Sequence, residues 1–129
     1  MKIVNKSKNI YNTIYRGANK NIKIMAGGSF YSFEKDIALD YANMEESPCL
    51  YCFDVDGLSL MIVKDNWQID DGVKGFDPAE IELFDGVRTA NYAQVLMFGT
   101  FDCSTGEFSK QSYNELTNEA NAEFRRYDR

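Results

Sequence analysis

Apolar residues in this chain come in short runs bounded by turn residues, and that pattern confines it to a fold of short strands with few helices. Cys49 to Val55 alternates as a strand, Asp56-Gly57 marks a turn, and Leu58 to Val63 is a second, strongly apolar strand, so the pair reads as a hairpin. Phe84 to Arg88 turns into a further strand. Tyr92 to Phe101, rich in Val, Leu, Met and Phe, is another, and Ser104-Thr105-Gly106 marks the turn after it. Upstream, Tyr11 to Tyr15 predicts a strand that delivers Arg16, followed by a basic, glycine-ended loop from Gly17 to Gly28. Helical spacing appears twice. Ser32 is placed as the N-cap of a helix through Ile37, Ala38, Tyr41 and Ala42, with Glu34 and Asp36 in its first turn and an end near Glu45. Ser112 to Tyr127 carries Leu116, Ala120 and Phe124 on one face. Lys64 to Glu82 is mostly loop, with a short helix around Pro78 to Leu83. The expected class is α+β, built on antiparallel or mixed sheets.

At 129 residues with 44% hydrophobic content, the chain suffices for one core, so residues 1–129 read as a single domain. Twenty acidic residues against fourteen basic ones give a net charge of −6, which opposes phosphate attraction and argues against a nucleic-acid partner. The basic residues gather early, at Lys2, Lys6, Lys8, Arg16, Lys20 and Lys23, an asymmetry that suits an anionic small molecule. With no run of about 18 apolar residues and no signal-like N-terminus, the expectation is a soluble, cytoplasmic protein that engages no membrane.

Three cysteines, Cys49, Cys52 and Cys103, do not make a disulfide framework, and Cys49-Leu50-Tyr51-Cys52 has no second pair to complete a metal knuckle, so they read as small buried strand residues and no metal site is expected. The absence of histidine removes the commonest general base. Chemistry here must run on Arg, Ser, Tyr, Gln and carboxylates. Asp70-Asp71-Gly72 lacks the alternation of a calcium loop and reads as a solvated acidic turn.

The order Tyr15-Arg16-Gly17, then Gly28-Ser29-Phe30-Tyr31-Ser32-Phe33 with Ala38 and Tyr41-Ala42, then Phe84-Asp85-Gly86-Val87 and Tyr92-Ala93-Gln94-Val95-Leu96-Met97-Phe98, resembles the ADP-ribosyltransferase superfamily. It is closest to small bacterial and bacteriophage members. The resemblance spans Ile14 to Phe101 through short motifs and implies a split β-sandwich that binds NAD, as substrate, between two small sheets. Arg16 would orient the NAD phosphates, a role its guanidinium fork suits because it can take two oxygens at once. Ser32 would order the site, and by the same resemblance Gly17, Tyr31, Ser32 and Phe33 would contact the NAD, with Tyr41 packing toward the nicotinamide. The resemblance also implies a glutamate at the start of the late strand, where it would steady the cationic ribose as the glycosidic bond breaks. Gln94 stands there instead. An amide can bond the same ribose hydroxyl but brings no negative charge, a loss that commonly costs several kcal/mol of barrier. Asp102, Glu80, Glu82 and Asp85 are the carboxylates that could substitute. Two functions follow. One is an NAD-dependent transferase that modifies a protein target; the other is a weakly active or inactive nucleotide-binding module, or a small inhibitor that occupies a partner protein. Taken singly, the same residues have ordinary readings: Arg16 as a surface ion-pair partner, Ser32 as a helix cap, Gln94 as a solvent-facing strand residue.

Overall fold

The computed structural model describes residues 3–5, 12–65, 69, 72–73, 75–90 and 94–117, and for 3–5 the backbone alone. Ten strands form two sheets: β1 (Ile3–Asn5), β2 (Thr13–Asn19), β3 (Ile24–Met25), β4 (Phe30–Ser32), β5 (Pro48–Asp54), β6 (Leu60–Val63), β7 (Gly86–Thr89), β8 (Gln94–Met97), β9 (Gly99–Asp102) and β10 (Phe108–Lys110). Helix α1 (Lys35–Ala42) follows β4 and α2 (Pro78–Ile81) precedes β7. A third helix, α3, is described over 113–117. The class is α+β, as expected, but the sheets are unequal. Seven strands in the order β1-β6-β7-β8-β4-β2-β5 form one, and β10-β9-β3 form the other. All pairings are antiparallel except β6 with β7.

The expected hairpin of Cys49–Val55 with Leu58–Val63 does not exist. Asp56-Gly57 does turn, with Gly57 at φ +84° and the Leu58 N–H donating to the Val55 carbonyl at 3.1 Å. The strands it joins then part to distant places in the sheet. Ser59 explains the departure: its N–H donates to Asp85 Oδ2 and its carbonyl accepts from the Asp85 N–H, both at 2.8 Å, which fixes the entry of β6 beside that of β7. This connection also dictates the sheet's shape. Six Cα steps from Asp54 to Leu60 reach at most about 20–22 Å, whereas five strand spacings in a flat sheet measure about 24 Å. The large sheet must therefore curl.

Inside the curl lies one core, with Ile14, Ala18, Tyr31, Phe53, Leu60, Val95 and Met97 from the large sheet meeting Met25 and Phe101 from the small one. The outer side holds a second core. There Met61, Val63, Val87 and Leu96 pack against Ile69, Val73, Phe76, Ile81, Phe84, Phe98 and Leu116. The apolar run that reads as one strand up to Phe101 is two, because the chain passes from the large sheet to the small one at Phe98. That residue is fully buried, with its N–H on the Asp85 carbonyl at 2.7 Å and its own carbonyl taking the Gln111 N–H at 3.0 Å. Gly99 permits the crossing, since a Cβ there would stand 2.3 Å from the Ser109 carbonyl oxygen.

The remaining local expectations hold in part. Asp77 caps α2 by accepting the Ala79 N–H at 3.1 Å, with Pro78 in the first turn. Ser112 caps α3 through the Glu115 N–H at 3.3 Å, while the predicted continuation to Tyr127 lies outside the described residues. So do Tyr11, Asp70, Asp71, Tyr92 and Ala93. The segment from Gly17, expected as a loop, continues β2 as far as Asn19 and contains β3. Among the described residues no helix is long and apolar enough to cross a membrane.

Candidate functional site

Three strands that lie far apart in sequence sit side by side at the middle of the large sheet: β2 with Arg16, β4 with Ser32 and β8 with Gln94. Their register decides what each side chain can meet. Tyr15 opposes Ser32 and Ser32 opposes Gln94, so these three share a face at the ends of β4 and β8. The same pairing sets Arg16 one residue further in, against Tyr31, and hence on the opposite face. Tyr31 opposes Val95, which opposes Arg88. Two neighbouring rows result. One points outward with Tyr15, Ser32 and Gln94; the other points into the curl with Arg16, Tyr31, Val95 and Arg88.

The sequence of β2 and α1 fixes this arrangement. A Cβ on Gly17 would lie 2.0 Å from the Ala38 carbonyl oxygen and 2.4 Å from the Ala42 nitrogen, so the glycine faces α1 at van der Waals range and Arg16 faces away from it. Ser32 does not occupy the N-cap position; Glu34 does, with no side-chain cap bond. Ser32 instead closes the turn just before the helix, its Oγ accepting the Glu34 N–H at 2.9 Å. That bond holds a buried hydroxyl beside Gln94, which is half-buried.

Arg16 is mid-strand rather than at a strand end, and half-buried. Its Nη1 donates to the Phe30 carbonyl at 3.0 Å and its guanidinium carbon stands 5.8 Å from the centre of the Tyr31 ring. Tyr31, expected to touch a cofactor, is a core residue: its ring meets Phe53 and Phe101 edge-on at 6.1 and 5.7 Å. Phe33 is buried under Arg88, whose guanidinium carbon lies 5.0 Å from its ring centre. Tyr41 is on α1 and 60% exposed. Arg88 is the residue that sequence reasoning missed. Its sequence signal is only a cation directly after Val87 in a short strand, and in the fold it is buried on the same inward row as Arg16.

Two of the carboxylates that could stand in for a glutamate are engaged elsewhere. Asp85 holds Ser59. Asp102 Oδ1 accepts the Ser104 hydroxyl at 2.7 Å and the Ser104 and Thr105 N–H groups at 2.8 and 3.2 Å, bonds that hold its carboxyl below its ordinary pKa. Glu80 and Glu82 belong to the turn of α2. Cys49 and Cys52, three apart on one strand, point to opposite faces, so their spacing makes no knuckle. Cys52 is exposed and Cys49 and Cys103 half-buried, more open than strand cysteines acting as core residues. Among the described residues no three His, Cys, Asp or Glu side chains gather as metal ligands.

Chemically, the outward row offers hydroxyl and amide groups at the strand ends, and the inward row offers two guanidiniums on either side of Tyr31 and Val95. A ligand that used both rows would have to pass around the ends of β4 and β8, beyond the Ser32–Gln94 pair. Comparison with protein-family models, with curated proteins and with solved structures found no match.

Proposed function

We propose that this chain is an NAD-binding domain on the ADP-ribosyltransferase plan, a split β-sandwich in kind, with little or no turnover. One observation carries the reading. The arginine strand, the Tyr-Ser strand and the late strand, which the resemblance requires to meet, are adjacent as β2, β4 and β8, with Ser32 directly opposed to Gln94. Arg16 would take the diphosphate oxygens through its fork. Gln94 would bond the nicotinamide ribose, beside the Ser32 hydroxyl. Because the amide is neutral and Asp85 and Asp102 are engaged elsewhere, Arg16, Ser32 and Gln94 supply none of the negative charge that would favour the cationic ribose of the transition state over the bound ground state. The implied partner is a protein, bound by the domain rather than modified by it.

The test is thermal unfolding with NAD alongside labelled NAD and a protein extract. NAD at a hundred times its Kd should stabilise the wild type by about 2.7 kcal/mol, on the order of 10 °C in Tm. Arg16→Ala should remove that shift. No protein should be labelled by the wild type, and Gln94→Glu should gain label. An unchanged Tm with NAD would sink the binding reading; label transferred by the wild type and lost in Arg16→Ala would overturn the claim of weak turnover.

A further inference from the structure

The two edges of the large sheet differ. β1 is three residues long, whereas β5 runs for seven, in unbroken register with β2 from Asn19↔Pro48 to Thr13↔Asp54. The Val55 N–H donates to the Asn12 carbonyl and the Ser47 carbonyl accepts from the Lys20 N–H, so odd-numbered residues of β5 turn their backbone groups toward β2. Leu50, Cys52 and Asp54 therefore point theirs away from the sheet, and their N–H groups have no partner among the described residues. Natural edges are blunted by charged side chains, prolines, bulges or brevity. β5 has Pro48 at its first position and Asp54 at its last, and none of these from Cys49 to Phe53.

We propose that a second copy of this chain pairs with β5, antiparallel about a two-fold axis at Cys52. In that register Cys52 opposes its counterpart and Leu50 opposes Asp54 of the second copy. Each of the three outward residues then exchanges both an N–H and a carbonyl bond, six bonds in all by the alternation of antiparallel pairs. Charge favours the same register. The Lys35 ammonium, at the start of α1, acts on the Cys52 thiol, and Asp54 of the second copy would come to that same face of the strand. No like charges are opposed along the strand. Helix α1 lies on the Gly17 side, as do Leu50 and Cys52, and touches β5. It carries Tyr41, and Met44 follows just after its end; the two are 60% and 76% exposed. A two-fold pair of sheets would bring the two α1 helices to one side and give those apolar side chains a surface to cover.

Sedimentation equilibrium of the full chain under reducing conditions should give twice the 14.8 kDa chain mass. Cys52→Lys places two ammonium groups across the axis at an exposed position and should raise the dimer Kd at least tenfold with an unchanged circular dichroism spectrum. With Cys49 and Cys103 replaced by serine, diamide should link two chains through Cys52, because opposed residues with Cα atoms about 5.5 Å apart fall within disulfide range. A monomer at every concentration, or a dimer indifferent to Cys52→Lys and not linked through Cys52, overturns the proposal.

Discussion

Replacing Gly17 by alanine tests the packing that orients Arg16. The added Cβ would stand 2.0 Å from the Ala38 carbonyl oxygen, 2.4 Å from the Ala42 nitrogen and 2.8 Å from the Ala42 Cβ. The first two contacts are helix backbone, which cannot swing aside as a side chain can. Restoring an ordinary 3.4 Å contact at Ala38 means moving α1 by 3.4 − 2.0 = 1.4 Å. A gap of about 0.5–1 Å already forfeits a quarter to a half of the dispersion well, so the buried faces of Ala38 and Ala42 lose much of their contact with β2. Overpacking of this kind costs about 1–3 kcal/mol, and drawing the Ala38 and Ala42 methyls off β2 adds about 1.5 kcal/mol at roughly 0.8 kcal/mol for each. The lost freedom of the unfolded chain returns only about 0.4–1 kcal/mol. The net expectation is a loss of about 2–4 kcal/mol, a large part of the roughly 5–15 kcal/mol that holds a domain together. In urea, with a slope of about 1.5 kcal/mol/M, the midpoint should fall by about 1.3–2.7 M with the slope unchanged. Gly57→Ala is the control. Nothing lies within 4 Å of its Cβ, and its φ of +84° alone should cost about 1–2 kcal/mol. Gly17→Ala within about 0.5 kcal/mol of wild type, or no worse than Gly57→Ala, would refute the reasoning.

Two further outcomes follow from hydrogen bonds that hold loops in place. The Tyr51 hydroxyl donates to the Asn19 carbonyl at 2.7 Å and accepts the Ile22 N–H at 3.1 Å, so Tyr51→Phe should cost about 1–3 kcal/mol by urea unfolding and speed amide exchange at Ile22. The Asp102 carboxyl is held below its ordinary pKa first by the Ser104 hydroxyl and then by the Ser104 and Thr105 N–H groups. A depressed folded pKa contributes stability above the unfolded value of about 3.9, lost as pH falls through the folded pKa. The Tm deficit of Asp102→Asn should therefore be full near neutral pH and shrink as the pH falls below about 3.9; a deficit constant through that fall would exclude the charged bonds as its cause.

Signals that act within a few residues were legible. Asp77-Pro78 announces α2 because a carboxylate cap and a fixed φ work locally, and Asp56-Gly57 announces its turn for the same reason. Partner choice was not. β5 and β6 look like a hairpin because nothing in Cys49 to Val63 reveals that Asp85 will hold Ser59 from a distance of 26 residues. Val95 to Phe98 is buried throughout, so the run has no period from which a change of sheet could be read. The candidate site divides likewise. That Arg16, Ser32 and Gln94 lie on adjacent strands accords with the motif order, whereas the face each occupies depends on register, which their spacing along the chain does not contain.

Register is also what most restricts how any site here can work. α1 starts directly after the turn that Ser32 closes and then lies against Gly17, so Ser32 and Gly17 both face the helix. Arg16, next to Gly17 on an extended strand, cannot face it too. No adjustment of rotamers brings its guanidinium onto the row of Ser32 and Gln94, and a one-residue slip of β2 would drive a side chain into the Ala38 and Ala42 backbone in place of the glycine. Among the described residues, the route between the two rows runs around the ends of β4 and β8, where Ser32 is the last residue of one strand and Gln94 the first of the other. A bound dinucleotide of the proposed kind must bend there, with its diphosphate toward Arg16 inside the curl and its nicotinamide ribose toward Gln94 outside. The Gln94→Glu change would then set a carboxylate across the sheet from the arginine rather than beside it, so the guanidinium would screen the new charge little and leave it available to the ribose.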